Sequence, residues 1–174
     1  MNIAAARMRR EKEMALRNVV TEGDPILRKK CREVTAVDDR IRGILDDMLE
    51  TMRFNNGVGI AAPQVGIMRR MFVAEPEEDK VYFMINPVIT LSEGEQEGEE
   101  GCLSVPGMVG TVKRPQHIVM EALDRDGKKI TVDATDFEAI VLCHEYDHLE
   151  GILYTDKCTN LHDVNEEPEE SEEQ

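Results

Sequence analysis

The pentapeptide His144-Glu145-Tyr146-Asp147-His148 constrains this chain more than any other part of its sequence. Two histidines four positions apart lie one above the other on an α-helix, so both imidazoles can reach the same metal ion. Glu145 lies on the adjoining flank, where it can accept a proton from a water beside that metal. The alternative is a surface helix that carries two solvated histidines. We favour the metal site, because these residue types rarely meet at this spacing by chance.

The helix that carries this motif is predicted over residues 136–150. Thr135 followed three positions later by Glu138 predicts a capping box at its start, and Gly151 predicts its end. At about 100° per residue, the side of the two histidines also carries three apolar side chains, those of Phe137, Ile140 and Val141. They can line a substrate pocket, belong to the ordinary core of an amphipathic helix, or do both.

A catalytic site of this kind needs a third protein ligand, which the helix does not supply. Cys143 points about 120° away from the mean direction of the two histidines. Tyr154 stands where the metzincin pattern HExxHxxGxxH has its third histidine, and the later glutamates that a gluzincin would use lie almost entirely in an acidic tail. We therefore expect the third ligand from another segment. The open candidates are Cys31, Cys102, Cys158, His117 and His162.

Cys102 has the most suggestive surroundings of these candidates, Glu100-Gly101-Cys102-Leu103-Ser104. Gly101 lets the backbone come close to a ligand. A thiolate bound to a divalent cation acts as a ligand and not as a nucleophile. Taken alone, however, the segment is better explained as a structural cysteine in a turn that follows an acidic loop at 92–100.

A glycine-rich segment at 57–64, GVGIAAPQ, fits the loose dinucleotide-binding pattern GxGxxA. That pattern must follow a strand and open a helix, whereas here a helix precedes it and Pro63 and Gly66 interrupt any helix after it. Exposed backbone with Gln64 as an uncharged donor instead suits the anchoring of a peptide or of an oxyanion. A plain glycine turn is the alternative.

The pattern along the rest of the chain predicts one α+β domain. Asp38 is a plausible N-cap for a helix over 38–54, and a turn is expected at Gly23-Asp24-Pro25. Strands are predicted at 71–74, 81–91, 117–123 and 129–132, the last two joined by a hairpin turn at 124–127. Pro87 should move part of the second strand to a sheet edge.

Both ends of the chain differ in charge from its middle. Residues 1–13 hold four bases and two acids and are expected to form an N-terminal extension. Residues 163–174 carry seven acids and no base, so we expect a solvated, disordered tail. The catalytic domain is then predicted over residues 14–162.

Composition excludes several functional classes. The 174 residues include 21 Lys and Arg against 36 Asp and Glu, a formal charge of −15, which argues against direct DNA binding and against a basic membrane-binding face. No apolar run reaches the roughly 18 residues that a membrane helix needs. The four cysteines form no CxxC pair and suit thiols in a reducing compartment, which we take to be the cytoplasm.

The segments GVGIAAPQ, EGCLS and HEYDHLEG, in that order, resemble the three signature motifs of peptide deformylases. The GDPILR sequence near the N-terminus is also similar to that family, and the resemblance covers residues 14–157. It implies an α+β fold in which antiparallel sheets pack around a helix that carries HExxH. It also implies removal of the N-formyl group from the initiator methionine of new polypeptides, which the chain is expected to meet near the ribosome exit.

The resemblance further implies roles for particular residues. The metal ligands are Cys102, His144 and His148, and Glu145 is the general base and then acid. Gln64 and the backbone N–H of Leu103 stabilise the oxyanion. Backbone around Val58, Gly59 and Gly101 pairs with the substrate, and its methionine side chain enters a pocket beside Phe137, Ile140 and Val141. The implied cofactor is one Fe²⁺ per chain, with Zn²⁺, Ni²⁺ or Co²⁺ as substitutes, although ligand chemistry alone would favour zinc.

Two other functions compete with this interpretation. An endoprotease of the zincin type would share HExxH but would take its third ligand from a position after it. A non-catalytic metal-binding protein would keep the ligands without turning over a substrate.

Overall fold

A computed structural model describes residues 15–166. Two sheets and two helices form the domain, together with short 3-10 turns at Pro25–Arg28, Ala62–Val65 and Tyr154–Asp156. The helices are α1 (Asp39–Phe54) and α2 (Asp136–Leu149). The strands are β1 (Gly59–Ala61), β2 (Met71–Glu77), β3 (Lys80–Glu93), β4 (Gln96–Cys102), β5 (Val105–Arg114), β6 (His117–Leu123), β7 (Lys129–Thr135) and β8 (Thr159–Asp163). The predicted α+β class is confirmed.

The larger sheet has five antiparallel strands in the order β1-β2-β3-β6-β7 and is covered by a helix on each face. Because side chains alternate along a strand, Phe72 and Ala74 pack with α2 on one face, whereas Met71 and Val73 pack with α1 on the other. Strands β4, β5 and β8 form a separate three-stranded sheet. The HExxH helix thus lies in the core between the two sheets.

Helix α1 begins where the sequence predicts it, because the Asp38 side chain accepts a hydrogen bond of 3.0 Å from the Ile41 backbone N–H. The start of α2 is different. Thr135 makes no side-chain capping bond, and the Glu138 carboxylate instead accepts hydrogen bonds from Lys80 and Tyr82 on β3. The predicted capping box is therefore wrong: partners on the neighbouring strand hold the glutamate. Gly151 ends the helix as expected, with φ of 75°.

The predicted edge at Pro87 is confirmed. The pairing of β3 with β2 ends at Ile85, and from Val88 onward β3 pairs only with β6, across a bulge that contains the proline. The hairpin turn between β6 and β7 is also confirmed, with Gly127 at φ of 79°.

Two expectations need correction. Residues 92–100 form the end of β3 and most of β4, not an acidic loop, because β4 pairs with β5, where Lys113 and Arg114 lie near its carboxylates. The ordered domain also extends past 162: Asp163 belongs to β8, and the Val164 N–H donates to the Gly107 carbonyl at 2.9 Å. The N-terminal extension and residues 167–174 lie outside the described residues.

Candidate metal centre and active site

Cys102, His144 and His148 converge on one point between the two sheets. Their ligand atoms all lie within 4.8 Å of one another, and the Cys102 Sγ is 3.5 Å from His148 Nε2. Strand β4 supplies the cysteine at its end, and α2 supplies both histidines from one face. One thiolate and two imidazoles are a donor set that binds Fe²⁺, Zn²⁺ and related ions and leaves a coordination position open.

The other candidates for the third ligand lie elsewhere. Cys31 packs in the core, and the Cys158 thiol contacts the Thr155 carbonyl at 3.7 Å, outside the cluster. His117 contacts Glu93 and Asp133, and His162 lies near Glu99 on the three-stranded sheet. Cys143 is buried among core side chains on the opposite side of α2, and burial raises the pKa of its thiol to about 11.

A buried network of charges fixes the orientation of His144. The Nδ1 atom of His144 lies 2.8 Å from Glu100, which leaves Nε2 directed towards a metal. Arg114 donates two hydrogen bonds to Glu100, at 2.9 and 2.8 Å, and one of 2.6 Å to Asp147. Burial raises the pKa of Glu100, but the bonds from Arg114 and His144 outweigh it and lower that pKa to about 2.

Sequence reasoning missed this network. Glu100 and Asp147 lie inside two of the quoted motifs, next to the expected ligands, and their position was the available signal. Arg114 had no such signal. It lies opposite Gln96 in the register of β4 and β5, and only its side chain reaches the Glu100 carboxylate in the folded structure.

Glu145 is buried next to the candidate metal ligands, and its Oε2 atom has no hydrogen-bond partner among the described residues. Burial raises the pKa of Glu145 to about 7. A carboxyl group poised near neutral pH can both accept and return a proton. Gly59 makes room for it, since a Cβ at residue 59 would lie 2.7 Å from the Glu145 Cδ atom.

Gln64 is held from both ends of its amide. Its Oε1 accepts from the Ala61 N–H at 2.9 Å, while Nε2 donates to Ser104 Oγ at 3.1 Å and approaches Cys102 Sγ at 3.4 Å. The amide therefore lies directly beside the proposed metal ligand. Leu103 follows Cys102 and also faces the cavity.

A cavity of about 610 Å³ opens onto these side chains. Every expected site residue except His148 lines the cavity, and His148 is buried, with 1% of its surface exposed. Phe137 is 52% exposed at the rim, whereas Val141 lies inside. The cavity runs between β1, one of the two edge strands of the larger sheet, and β4, one of the two edge strands of the smaller one.

A family model described as polypeptide deformylase matches residues 16–164. The chain belongs to the polypeptide deformylase family. Among curated deformylases, it is 51% identical to that of Symbiobacterium thermophilum over 92% of this chain and 75% of the relative. It is 52% identical to that of Acetivibrio thermocellus over 88% of this chain and 89% of the relative.

Solved deformylase structures share the fold. The structure from Thermotoga maritima has a TM-score of 0.81 at 34% identity, and the match covers 83% of this chain and 99% of the Thermotoga chain. The structure from Thermus thermophilus has a TM-score of 0.78 at 43% identity, over 81% of this chain and 84% of its own.

Neither helix within residues 15–166 has both the length and the apolar character needed to cross a membrane.

Proposed function

We propose that this chain is a metal-dependent peptide deformylase that removes the N-formyl group from the initiator methionine of new polypeptides and releases formate. The observation that carries the proposal is the convergence of Cys102, His144 and His148 beside the buried carboxyl of Glu145 in an open cavity. Membership of the deformylase family supports the same reaction.

Cys102, His144 and His148 would hold one divalent cation. The fit is supported by the donor set and by Glu100, which occupies Nδ1 of His144 and leaves Nε2 for the metal. A cation bound there lowers the pKa of the attacking water and polarises the formyl carbonyl. We propose Fe²⁺ as the resident metal on the family resemblance, with Zn²⁺, Ni²⁺ or Co²⁺ able to replace it.

Glu145 would move the proton of the reaction. Its carboxylate accepts a proton from the attacking water and then donates it to the amine nitrogen as the C–N bond of the formamide breaks. The products are formate and a free N-terminal amine. Burial of Glu145 and its position between the two histidines support this role.

Gln64 and the Leu103 N–H would stabilise the negative charge that develops on the formyl oxygen. In the structure, the Gln64 amide nitrogen contacts Ser104 and Cys102. When substrate binds, the Gln64 amide nitrogen must therefore give up its contact with Ser104 or with Cys102 in order to donate to the oxyanion. The bond from Ala61 to Oε1 keeps the side chain in place during that exchange.

The rest of the substrate would bind as an extended strand. Residues Val58 and Gly59 on one wall and Gly101 on the other present backbone at the edges of two sheets, where a peptide can pair. The methionine side chain would occupy the apolar part of the cavity beside Phe137, Ile140 and Val141.

The proposed partners are N-formylmethionyl nascent polypeptides, met in the cytoplasm close to the ribosome exit. All four cysteines are free thiols, which is consistent with a reducing compartment.

The two competing functions predict different results. A zincin endoprotease takes its third ligand from a position after HExxH, whereas the third proposed ligand here, Cys102, precedes the motif on β4. Formate release from formyl-Met-Ala-Ser, measured with the metal content of the same sample, tests the proposal. We expect turnover that scales with bound metal. A metal-replete sample that releases no formate would favour a non-catalytic metal-binding protein.

A further inference from the structure

Residues 15–22 run from α1 to the active site without forming a helix or a strand. Four backbone N–H groups of this segment donate hydrogen bonds to distant parts of the chain. Two of the acceptors lie on α1, and the other two lie on turns beside the proposed oxyanion donors. Segment 15–22 therefore connects a helix that covers the larger sheet with the part of the cavity in which the formyl oxygen would bind.

The anchor of this segment on α1 consists of two buried polar side chains, those of Asp47 and Thr51. Asp47 Oδ1 accepts from the Ala15 N–H at 2.9 Å, and Asp47 Oδ2 accepts from the Arg17 guanidinium at 2.8 and 3.0 Å. One turn further along α1, the Thr51 hydroxyl accepts from the Arg17 N–H at 3.0 Å and donates to the Asp47 carbonyl at 2.7 Å. Because buried polar groups are stable only when hydrogen-bonded, these two side chains are matched to the segment that they hold.

The other end of the segment bonds to both sides of the oxyanion site. The Val20 N–H donates to the Gln64 carbonyl at 2.7 Å, and the Glu22 N–H donates to the Ser104 carbonyl at 2.7 Å. Gln64 belongs to the 3-10 turn after β1 of the larger sheet, whereas Ser104 belongs to the turn between β4 and β5 of the smaller one. Leu103, whose N–H is the second proposed donor, precedes Ser104 in that turn. The segment thus links two donors that different sheets supply.

This link gains importance when substrate binds. In the free site, Gln64 Nε2 also joins the two turns by donating to Ser104 Oγ at 3.1 Å. That bond is one of the two that Nε2 can exchange for the oxyanion. The bonds from Val20 and Glu22 survive the exchange, because they end on main-chain carbonyls that take no part in the reaction. Oxyanion stabilisation depends on donors that are already at hydrogen-bond distance from the developing charge, so the separation of the two turns affects the rate.

We propose that Asp47 and Thr51 are positioning residues for the oxyanion site. They anchor segment 15–22, and that segment sets the distance between Gln64 and the Leu103 N–H. The inference rests on the deformylase activity and on the oxyanion role of Gln64 proposed above. It assigns a part in the reaction to two side chains of α1 that do not line the cavity.

Thr51→Val tests the anchor, because it removes the hydroxyl that accepts from the Arg17 N–H and nearly keeps the shape of the side chain. On the metal-loaded full chain with formyl-Met-Ala-Ser, we expect kcat to fall about tenfold and KM to stay within about twofold, since oxyanion bonds strengthen in the transition state. Thr51→Ser keeps the hydroxyl and should leave kcat within about twofold of the wild-type value.

Asp38→Ala is the control for a general loss of stability in the same helix. It removes the N-cap of α1, but Asp38 bonds to Ile41 and not to segment 15–22. We expect Asp38→Ala to lower Tm and to leave kcat near the wild-type value. If Asp38→Ala lowers kcat as much as Thr51→Val does, the positioning role is overturned.

A double variant tests whether the anchor acts through Gln64. Gln64→Ala alone should lower kcat about 10²–10³-fold, as expected for the loss of one oxyanion donor. Adding Thr51→Val to Gln64→Ala should lower kcat by less than about twofold more, because the donor that Thr51 positions is already absent. A full further tenfold loss would show that Thr51 acts elsewhere, and it would overturn the proposal.

Arg17→Gln carries the same test if Thr51→Val does not fold. It removes the guanidinium bonds to Asp47 from a partly exposed residue and keeps the backbone bonds of the segment. We expect kcat to fall about threefold, again with little further effect in the Gln64→Ala background.

The outcomes separate the claims on which the proposal rests. If the metal-loaded wild-type chain releases no formate, the proposed function fails, and the positioning role fails with it. If Gln64→Ala keeps the wild-type kcat, the function stands, but the oxyanion role of Gln64 and its positioning are both overturned. If Gln64→Ala is impaired and the anchor variants turn over at the wild-type rate, only the positioning role is overturned.

Discussion

At the scale of single residues, the closest fit in the site is the one between Gly59 and Glu145. A methyl group on residue 59 would overlap the Glu145 carboxyl group. If Glu145 carries the proton as proposed, Gly59→Ala should displace it and lower kcat/KM about 100-fold, while Cys102, His144 and His148 stay in place. Metal content and turnover measured on one preparation check this.

Gly43→Ala is the control for that substitution. Gly43 lies within α1, and a Cβ there meets nothing within 4 Å. We expect unchanged activity and a free energy of unfolding raised by about 0.5–1 kcal/mol, since alanine is the better helix former. Equal activity in the two alanine variants would contradict the fit between Gly59 and Glu145.

Glu145→Gln tests the proton carrier directly. The variant should keep about one metal per chain and lose about 10²–10⁴-fold in kcat, because general acid–base catalysis is removed while the ligands are untouched. Near wild-type turnover of the metal-loaded variant would remove Glu145 from the mechanism.

Replacing Cys102 and Cys143 by serine should have opposite effects on metal binding. Cys102→Ser replaces a soft thiolate by a weak hydroxyl donor, so Fe²⁺ or Zn²⁺ should be lost or held far more weakly. Cys143→Ser should bind metal normally, because Cys143 packs in the core on the other side of α2. Metal analysis after gel filtration distinguishes them; loss of metal only in the Cys143 variant would refute the ligand assignment.

At the scale of secondary-structure elements, the two helices begin in different ways. Asp38 caps α1 through a side-chain bond, and Thr135 makes no such bond for α2. Asp38→Ala should therefore lower the free energy of unfolding by about 1 kcal/mol, and Thr135→Ala by only a few tenths. Urea denaturation measures both, and an equal loss would show that Thr135 does cap its helix.

The elements also show what the sequence could and could not predict. Helix α1 and the β6–β7 hairpin follow from local patterns, an N-cap with apolar spacing and a glycine turn. Local patterns do not predict β4, β5 and β8. Each contains residues that disfavour strands: Gly98 and three glutamates in β4, Pro106 and two glycines in β5, and Asn160 and Asp163 in β8. Pairing between distant segments decides their structure, as with Glu97 opposite Lys113.

The same distinction holds for the site. Helix geometry alone predicts that His144 and His148 share a face, that Glu145 lies beside it, and that Cys143 points away from it. The third ligand does not, because Cys102 reaches the histidines only through the fold of a second sheet. The contacts of Arg114 with Glu100 and Asp147 cannot be predicted for the same reason, because they join side chains from β5, β4 and α2.

At the scale of the whole molecule, the proposed metal joins parts of the chain that are far apart in sequence. Its ligands come from β4 in the smaller sheet and from α2 in the core. Removing the metal with a chelator should lower Tm, since a ligand present at about 1,000 times its Kd contributes about 4 kcal/mol to the free energy of unfolding. Calorimetry with and without metal checks this, with Cys102→Ser as the variant that should not respond to the chelator.

The cleft lies where two sheets each leave one strand edge without a neighbour, β1 on one side and β4 on the other. Open edges are normally a hazard, because any extended chain can add to them. In this cleft, pairing that does not depend on the sequence of the added chain is useful. Main-chain amides and carbonyls are common to all polypeptides, so two such edges can pair with nascent chains of any sequence, and the proposed methionine pocket would set the position of each chain.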